Sequence, residues 1–195
     1  MPIRIRLLAT VLGAVILAAC GDQDPSGSEF VPTVHFSYSG AASGSFGVTA
    51  PRPATVAARQ SAFVEGITFG GGSFVALSLM PTTGGRGDWV TVMGTTIPGE
   101  YDLASTGCTQ ALCAQIGGSL GQSLDGSPRE GEMGWHLDKG TLTVRRSSVD
   151  GRVRGTFSGS GLLLRYAGGS WTTAGRITVG GGSFEADLKP AQPSL

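Results

Sequence analysis

The chain has 195 residues, 14 basic and 14 acidic side chains, and 40% hydrophobic residues. That balance gives no charge-driven reason to bind nucleic acid. Its length suits one domain, which at this size buries roughly 70% of its unfolded surface and needs neither metal nor many disulfides to hold a core.

The first element is an export signal. Arg4 and Arg6 form a basic start, and Leu7 to Leu17 is an uncharged apolar run, too short to span a bilayer. Leu17-Ala18-Ala19-Cys20 follows. These residues resemble the lipobox of bacterial lipoproteins. The resemblance implies that 1–19 is removed and that Cys20 becomes a lipidated N-terminus carrying acyl chains such as palmitate. More than one chain is needed for a stable anchor, since a single acyl chain holds only marginally. It implies the cell envelope as the address and the membrane as the one partner indicated. Gly21, standing where aspartate would mark inner-membrane retention, points to the outer membrane, facing the periplasm or the surface. Loss of Arg4 and Arg6 leaves 12 basic against 14 acidic residues, a net charge of −2.

Residues 20–32 read as a lipidated tether, polar and containing Gly, Ser and Pro. Residues 33–190 read as a single β domain. Val34, Phe36 and Tyr38 alternate with polar residues, and Phe46 and Val48 continue the alternation. Pro51 and Pro53 mark a loop. Strand-like runs follow at 62–69, 74–80, 89–93 and 100–103, the first two joined by Gly70-Gly71-Gly72. Residues 104–131 read as an irregular loop, with a short helix expected over 109–116 and ended by Gly117. This segment holds Cys108 and Cys113. With Cys20 taken by lipid, an even pair remains in an oxidising compartment, which favours a disulfide. A metal pair lacks further ligands, and a redox pair would more often be spaced C-x2-C.

Beyond 131, Met133, Trp135 and Leu137 alternate with polar residues, and Asp138-Lys139-Gly140 reads as a turn. A two-residue turn at Asp150-Gly151 would pair Val149 with Arg152 and Val144 with Phe157. It would put Leu142, Val144, Val153 and Phe157 on one face and Arg145, Arg152 and Arg154 on the other. Strands at 162–166, 176–179 and 184–188 complete the set. Ile67-Thr-Phe-Gly-Gly-Gly-Ser-Phe74 echoes Ile177-Thr-Val-Gly-Gly-Gly-Ser-Phe184, which suggests two hairpins sharing one glycine turn, reused rather than duplicated. The count of short strands and turns predicts an all-β fold, an antiparallel β-sandwich with a small closed β-barrel as the alternative. One face of each sheet should be wet.

Gly140-Thr-Leu-Thr-Val144, Gly155-Thr-Phe-Ser158 and the terminal Ile177-Thr-Val-Gly180 with Phe184 resemble a group of uncharacterised bacterial lipoproteins, over about residues 99–188. That resemblance implies a structural strand pattern and carries over no known activity.

Candidate chemistry is sparse. Gly117-Gly-Ser119-Leu-Gly121 matches the serine-hydrolase elbow, which acts only on a tight strand-to-helix turn. His35 and His136 sit at polar phases of strands, Glu132 and Asp138 sharing a face with His136. They lack the further ligands a metal would need, and no cofactor is indicated. Arg86-Gly87-Asp88 reads as a β-turn. Arg145, Arg152 and Arg154 form a possible basic patch for anionic head groups. Trp135 reads as core. Trp171, after Gly168-Gly169-Ser170, reads as exposed and as a possible ligand contact. The expected function is a non-enzymatic envelope protein for binding or structure; the alternatives are a module for an apolar or sugar ligand and a serine hydrolase using Ser119.

Overall fold

A computed structural model describes residues 31–50, 62–69, 72–103, 114–124, 128–146 and 151–190. Among them lie ten strands: β1 (Thr33–Gly40), β2 (Gly44–Thr49), β3 (Phe63–Phe69), β4 (Ser73–Thr82), β5 (Arg86–Thr95), β6 (Gly99–Asp102), β7 (Gln115–Ser123), β8 (Met133–Arg146), β9 (Arg152–Ala167) and β10 (Ser170–Pro190). The protein is all-β, one large sheet antiparallel throughout except where β3 runs alongside β10.

The sheet has no simple linear order. β10 takes β1 along one edge over Ile177–Glu185, then β3 over Leu188–Pro190, while β9 occupies its other edge. β9 in turn pairs β8. The ladder therefore runs β10–β3–β4–β5–β7–β8–β9 and back to β10, a barrel-like circuit with β1–β2 and β6 attached outside it. Alternation drives this closure. Val34, Phe36, Phe46, Val48, Phe74, Ala76, Val90, Val92, Trp135, Leu137, Leu142, Val144, Val153, Phe157, Ile177, Val179 and Phe184 all turn inward into one core. Phe36 is a hub within it, its ring centroid 5.3 Å from Phe46, 5.6 Å from Trp135 and 5.8 Å from Phe157. Phe74 stacks on Phe184 at 5.7 Å. The middle is filled by side chains.

Several expectations are corrected. The segment 104–131 is not one irregular loop: Gln115–Ser123 is strand β7, with Ile116 and Leu120 buried, so no helix extends to Gly117. Cys108 and Cys113 lie outside the described residues. Asp138-Lys139-Gly140 is not a turn. β8 runs through it, and the register shifts between Leu137 and Lys139. The extra residue is bulged out, which re-aims its side chain. The two glycine triplets differ as well. Gly72 closes the hairpin that pairs Phe69 with Ser73. Gly180–Gly182 instead lies inside β10, where the register shifts between Val179 and Gly182 and Gly181 adopts φ 61°. One sequence serves as a turn where a second strand folds back, and as a bulge where neighbours on both edges hold the strand extended.

The β8–β9 register is displaced by two residues from expectation: Val144 faces Gly155, and Leu142 faces Phe157. An even shift keeps every side chain on its expected face, so Leu142, Val144, Val153 and Phe157 are buried as anticipated. The wet outer face holds for β1 and β2, whose outward side chains are polar. It fails on β3–β5, where Ile67, Val75, Leu77 and Met93 point outward half-buried, and Phe63 and Leu79 are buried apart from the main core beside Trp89.

Candidate functional site

Of the residues singled out by sequence, most make hydrogen bonds within the fold. Ser119 sits in the middle of β7 and its hydroxyl bonds Gln122 Oε1 at 2.7 Å, so the elbow context is absent. His35 is exposed on β1 and bonds the Thr49 hydroxyl at 2.9 Å. Asp88 lies in β5, not in a turn, at a register shift against β7, and its Oδ1 accepts the Gly121 amide at 2.8 Å. Glu132 does not share the open face of His136. It is 1% exposed, and its Oε1 accepts the Ser123 amide at 2.8 Å, closing the end of β7. Among the described residues its Oε2 has no hydrogen-bond partner. Asp138, freed by the bulge, takes a bidentate pair from Arg176 at 2.6 and 3.0 Å. That hydrogen-bonded guanidinium holds the Asp138 carboxyl below the usual carboxylate range.

The arginine patch is mixed in charge. Arg145 faces Arg154 across β8–β9, but Arg154 faces Glu185 and Arg152 faces Asp187 across β9–β10. The acidic partners come from a strand some 30 residues downstream, which is why sequence proximity pointed to Asp138 and Asp150 instead.

Asp88 gives a pH-dependent stability. Burial pushes its carboxyl up, only partly offset by the Gly121 amide; burial and the Asp88 charge together push the nearby Tyr38 phenol up. The folded state thus binds the Asp88 proton more tightly than the unfolded chain. Stability from this group is fullest below the ordinary carboxylate range and declines as pH rises through the raised value. Asp88→Asn keeps an acceptor for Gly121 and removes the charge. It is expected to raise the melting temperature by a few degrees at pH 7 and to lose that advantage below about pH 4. A variant that melts lower than the parent at pH 7 would contradict this.

Among the described residues, two grooves on the outer surface stand out. The larger, about 470 Å³, crosses β6, β8, β9 and β10 and is lined by Glu100, Thr141, Thr143, Thr156, Ser158 and Ser183. It is a ladder of hydroxyls on a flat sheet: Glu100 faces Thr143, which faces Thr156, which faces Ser183. The smaller, about 200 Å³, lies between β5 and β8, lined by Thr91, Met93, Gln115, Gly117 and His136. Its floor is backbone, because Gly117 faces Thr91 on one side and His136 on the other. One rung along, Ser119 faces Gly134, again without a side chain on β8. The Trp171 ring lies over Gly134, so that a Cβ there would stand 3.5 Å from its Cζ3. Trp171 is 43% exposed and meets Tyr166 edge-on at 5.3 Å. Of the residues suggested for surface binding, Trp171 stands one rung beyond the smaller groove, over Gly134, and Arg145 and Arg154 stand one rung beyond the larger. The trough itself escaped the sequence, since it is built from missing side chains on two strands paired only in the fold.

No family model matches the chain, and neither does any curated protein or solved structure. What the protein does is therefore argued from its own residues.

Proposed function

We propose that this chain is a lipid-anchored protein of the cell envelope, facing the periplasm or the surface from the outer membrane, and that its β-body works by binding rather than by chemistry. The observation that carries the reading is the basic start, short apolar run and Leu17-Ala18-Ala19-Cys20, with the first strand beginning at Thr33, a tether's length beyond the cysteine. The body supports it. Its interior is packed with aromatic rings, so a ligand would meet the outer face rather than a barrel lumen. Ser119, His35 and Asp88 are each engaged in a hydrogen bond that holds strands or side chains in place. The same compartment makes Cys108 and Cys113 a structural disulfide.

The test is chemical. Material from the native host should take up labelled palmitate and lose residues 1–19, and its N-terminal peptide should carry the mass of acyl chains on Cys20. Cys20→Ser should abolish labelling and release the protein from the membrane fraction. A free Cys20 thiol in the purified native protein would overturn the reading.

A further inference from the structure

We propose that the trough between β5 and β8 binds an extended, neutral glycan, with Trp171 as its stacking platform; this rests on the reading of the body as a binding module.

A sugar ring offers two chemistries at once: an apolar C–H face and a rim of hydroxyls. A site for it needs an exposed flat aromatic surface, donors and acceptors beside that surface, and space between them. The trough supplies all three. Trp171 presents an open indole, and its edge-on contact with Tyr166 fixes the ring before any ligand arrives. Little ordering is left to be done on binding, which favours affinity. Next to the indole, Gly117 leaves β7 without a side chain between Thr91 and His136, so backbone lies open on the face a ligand would cross. From Gln115 to Ser119, the β7 residue opposite Gly134 and its Trp171 cover, the span is about 13 Å at some 3.3 Å per residue. That length suits a chain of a few rings rather than a single sugar. Thr91, Gln115 and His136 border the floor with neutral donors and acceptors, and Met93 adds an apolar wall.

Charge decides the class. No Asp, Glu, Lys or Arg lines the groove among the described residues. Asp138, two residues on from His136, is taken up by Arg176 through two hydrogen bonds. An anionic polymer would find no cation in the lining to meet it, and a cationic one no carboxylate there. The hydroxyl ladder on β6, β8, β9 and β10 is larger, but the one ring in its lining, Phe157, is 3% exposed and offers no open face to stack on.

The test uses the mature chain carrying Cys20→Ser, so that binding is read in solution and is independent of anchoring. Cellohexaose and chitohexaose are titrated against tryptophan fluorescence, with affinity electrophoresis through gels containing hydroxyethylcellulose as a second readout. The parent should show a saturable shift with at least one of the probes. Trp171→Ala should weaken it about tenfold, the loss of roughly 1.4 kcal/mol. Gly134→Val sets a Cβ 3.5 Å beneath the Trp171 ring, so its methyl groups should displace the indole from its seat and weaken binding as well. Thr143→Val, in the hydroxyl groove, should leave binding as it was. The absence of any shift in the parent, or binding that survives both Trp171→Ala and Gly134→Val, would overturn the proposal. Loss of binding on Thr143→Val alone would move the site to the other groove and overturn it equally. Failure of palmitate labelling, by contrast, bears only on the anchor.

Discussion

Gly161→Val is expected to abolish cooperative folding. Gly161 lies in β9 opposite Leu137, where β8 bulges at Asp138. A Cβ at Gly161 would stand 1.8 Å from the His136 carbonyl oxygen and 2.6 Å from the Leu137 Cα. Both are backbone atoms in a paired strand, so neither can turn aside as the end of a flexible side chain would. The two strands would have to part at the centre of the ladder, exposing Leu137 and Leu163, which are each about 1% exposed in the fold. Several backbone hydrogen bonds and a section of core are lost together, which places the cost beyond the 4–5 kcal/mol reached by only a few single substitutions. Far-ultraviolet circular dichroism during a urea titration should show no cooperative transition, or one shifted almost to zero denaturant. A variant that melts like the parent would mean that β8 and β9 are not packed this closely.

The second large effect concerns Phe36. Its ring touches three elements at once: β2 through Phe46, β8 through Trp135 and β9 through Phe157. β1 pairs with β2 and β10, and this ring also ties it to β8 through Trp135. Phe36→Ala removes the buried ring and leaves a hole among stiff aromatic neighbours that relax poorly. The cost is about 3–5 kcal/mol, read as a fall in the urea midpoint at unchanged slope. Phe69→Ala makes the control, since that ring is 47% exposed and its loss should change stability by no more than about 0.5 kcal/mol. Equal losses for the two variants would show that the aromatic cluster is not the centre of the core.

What the sequence made legible was what side chains announce. The alternation of Val34 and Phe36, of Phe46 and Val48, and of Leu142 and Val144 marks strands and their buried faces. It survives errors of pairing because burial depends on parity alone. The all-β class followed from the same signal. What stayed hidden depends on partners remote in the chain. Gly70–Gly72 and Gly180–Gly182 read alike, and only the presence of β9 and β1 on either edge of the second makes it a bulge. Asp138-Lys139-Gly140 carries good turn residues, yet β9 holds it extended. The 104–131 segment lost its strand to the eye because β7 is written mostly in glycine, serine and glutamine, with only Ile116 and Leu120 to signal burial. For the candidate site, Trp171 was visible as an exposed aromatic, whereas the trough beside it was not. Gly117 and Gly134 stand 17 positions apart and become neighbouring rungs only through the β7–β8 pairing.

The place of β10 bears on when this protein can fold. The final strand is the one into which β1, β3 and β9 all zip. Strands near the start, such as β1 with Val34 opposite Phe184, wait some 150 residues for their partner. A nascent chain therefore holds no completed body until β10 has been made, and distant pairings of this kind form slowly.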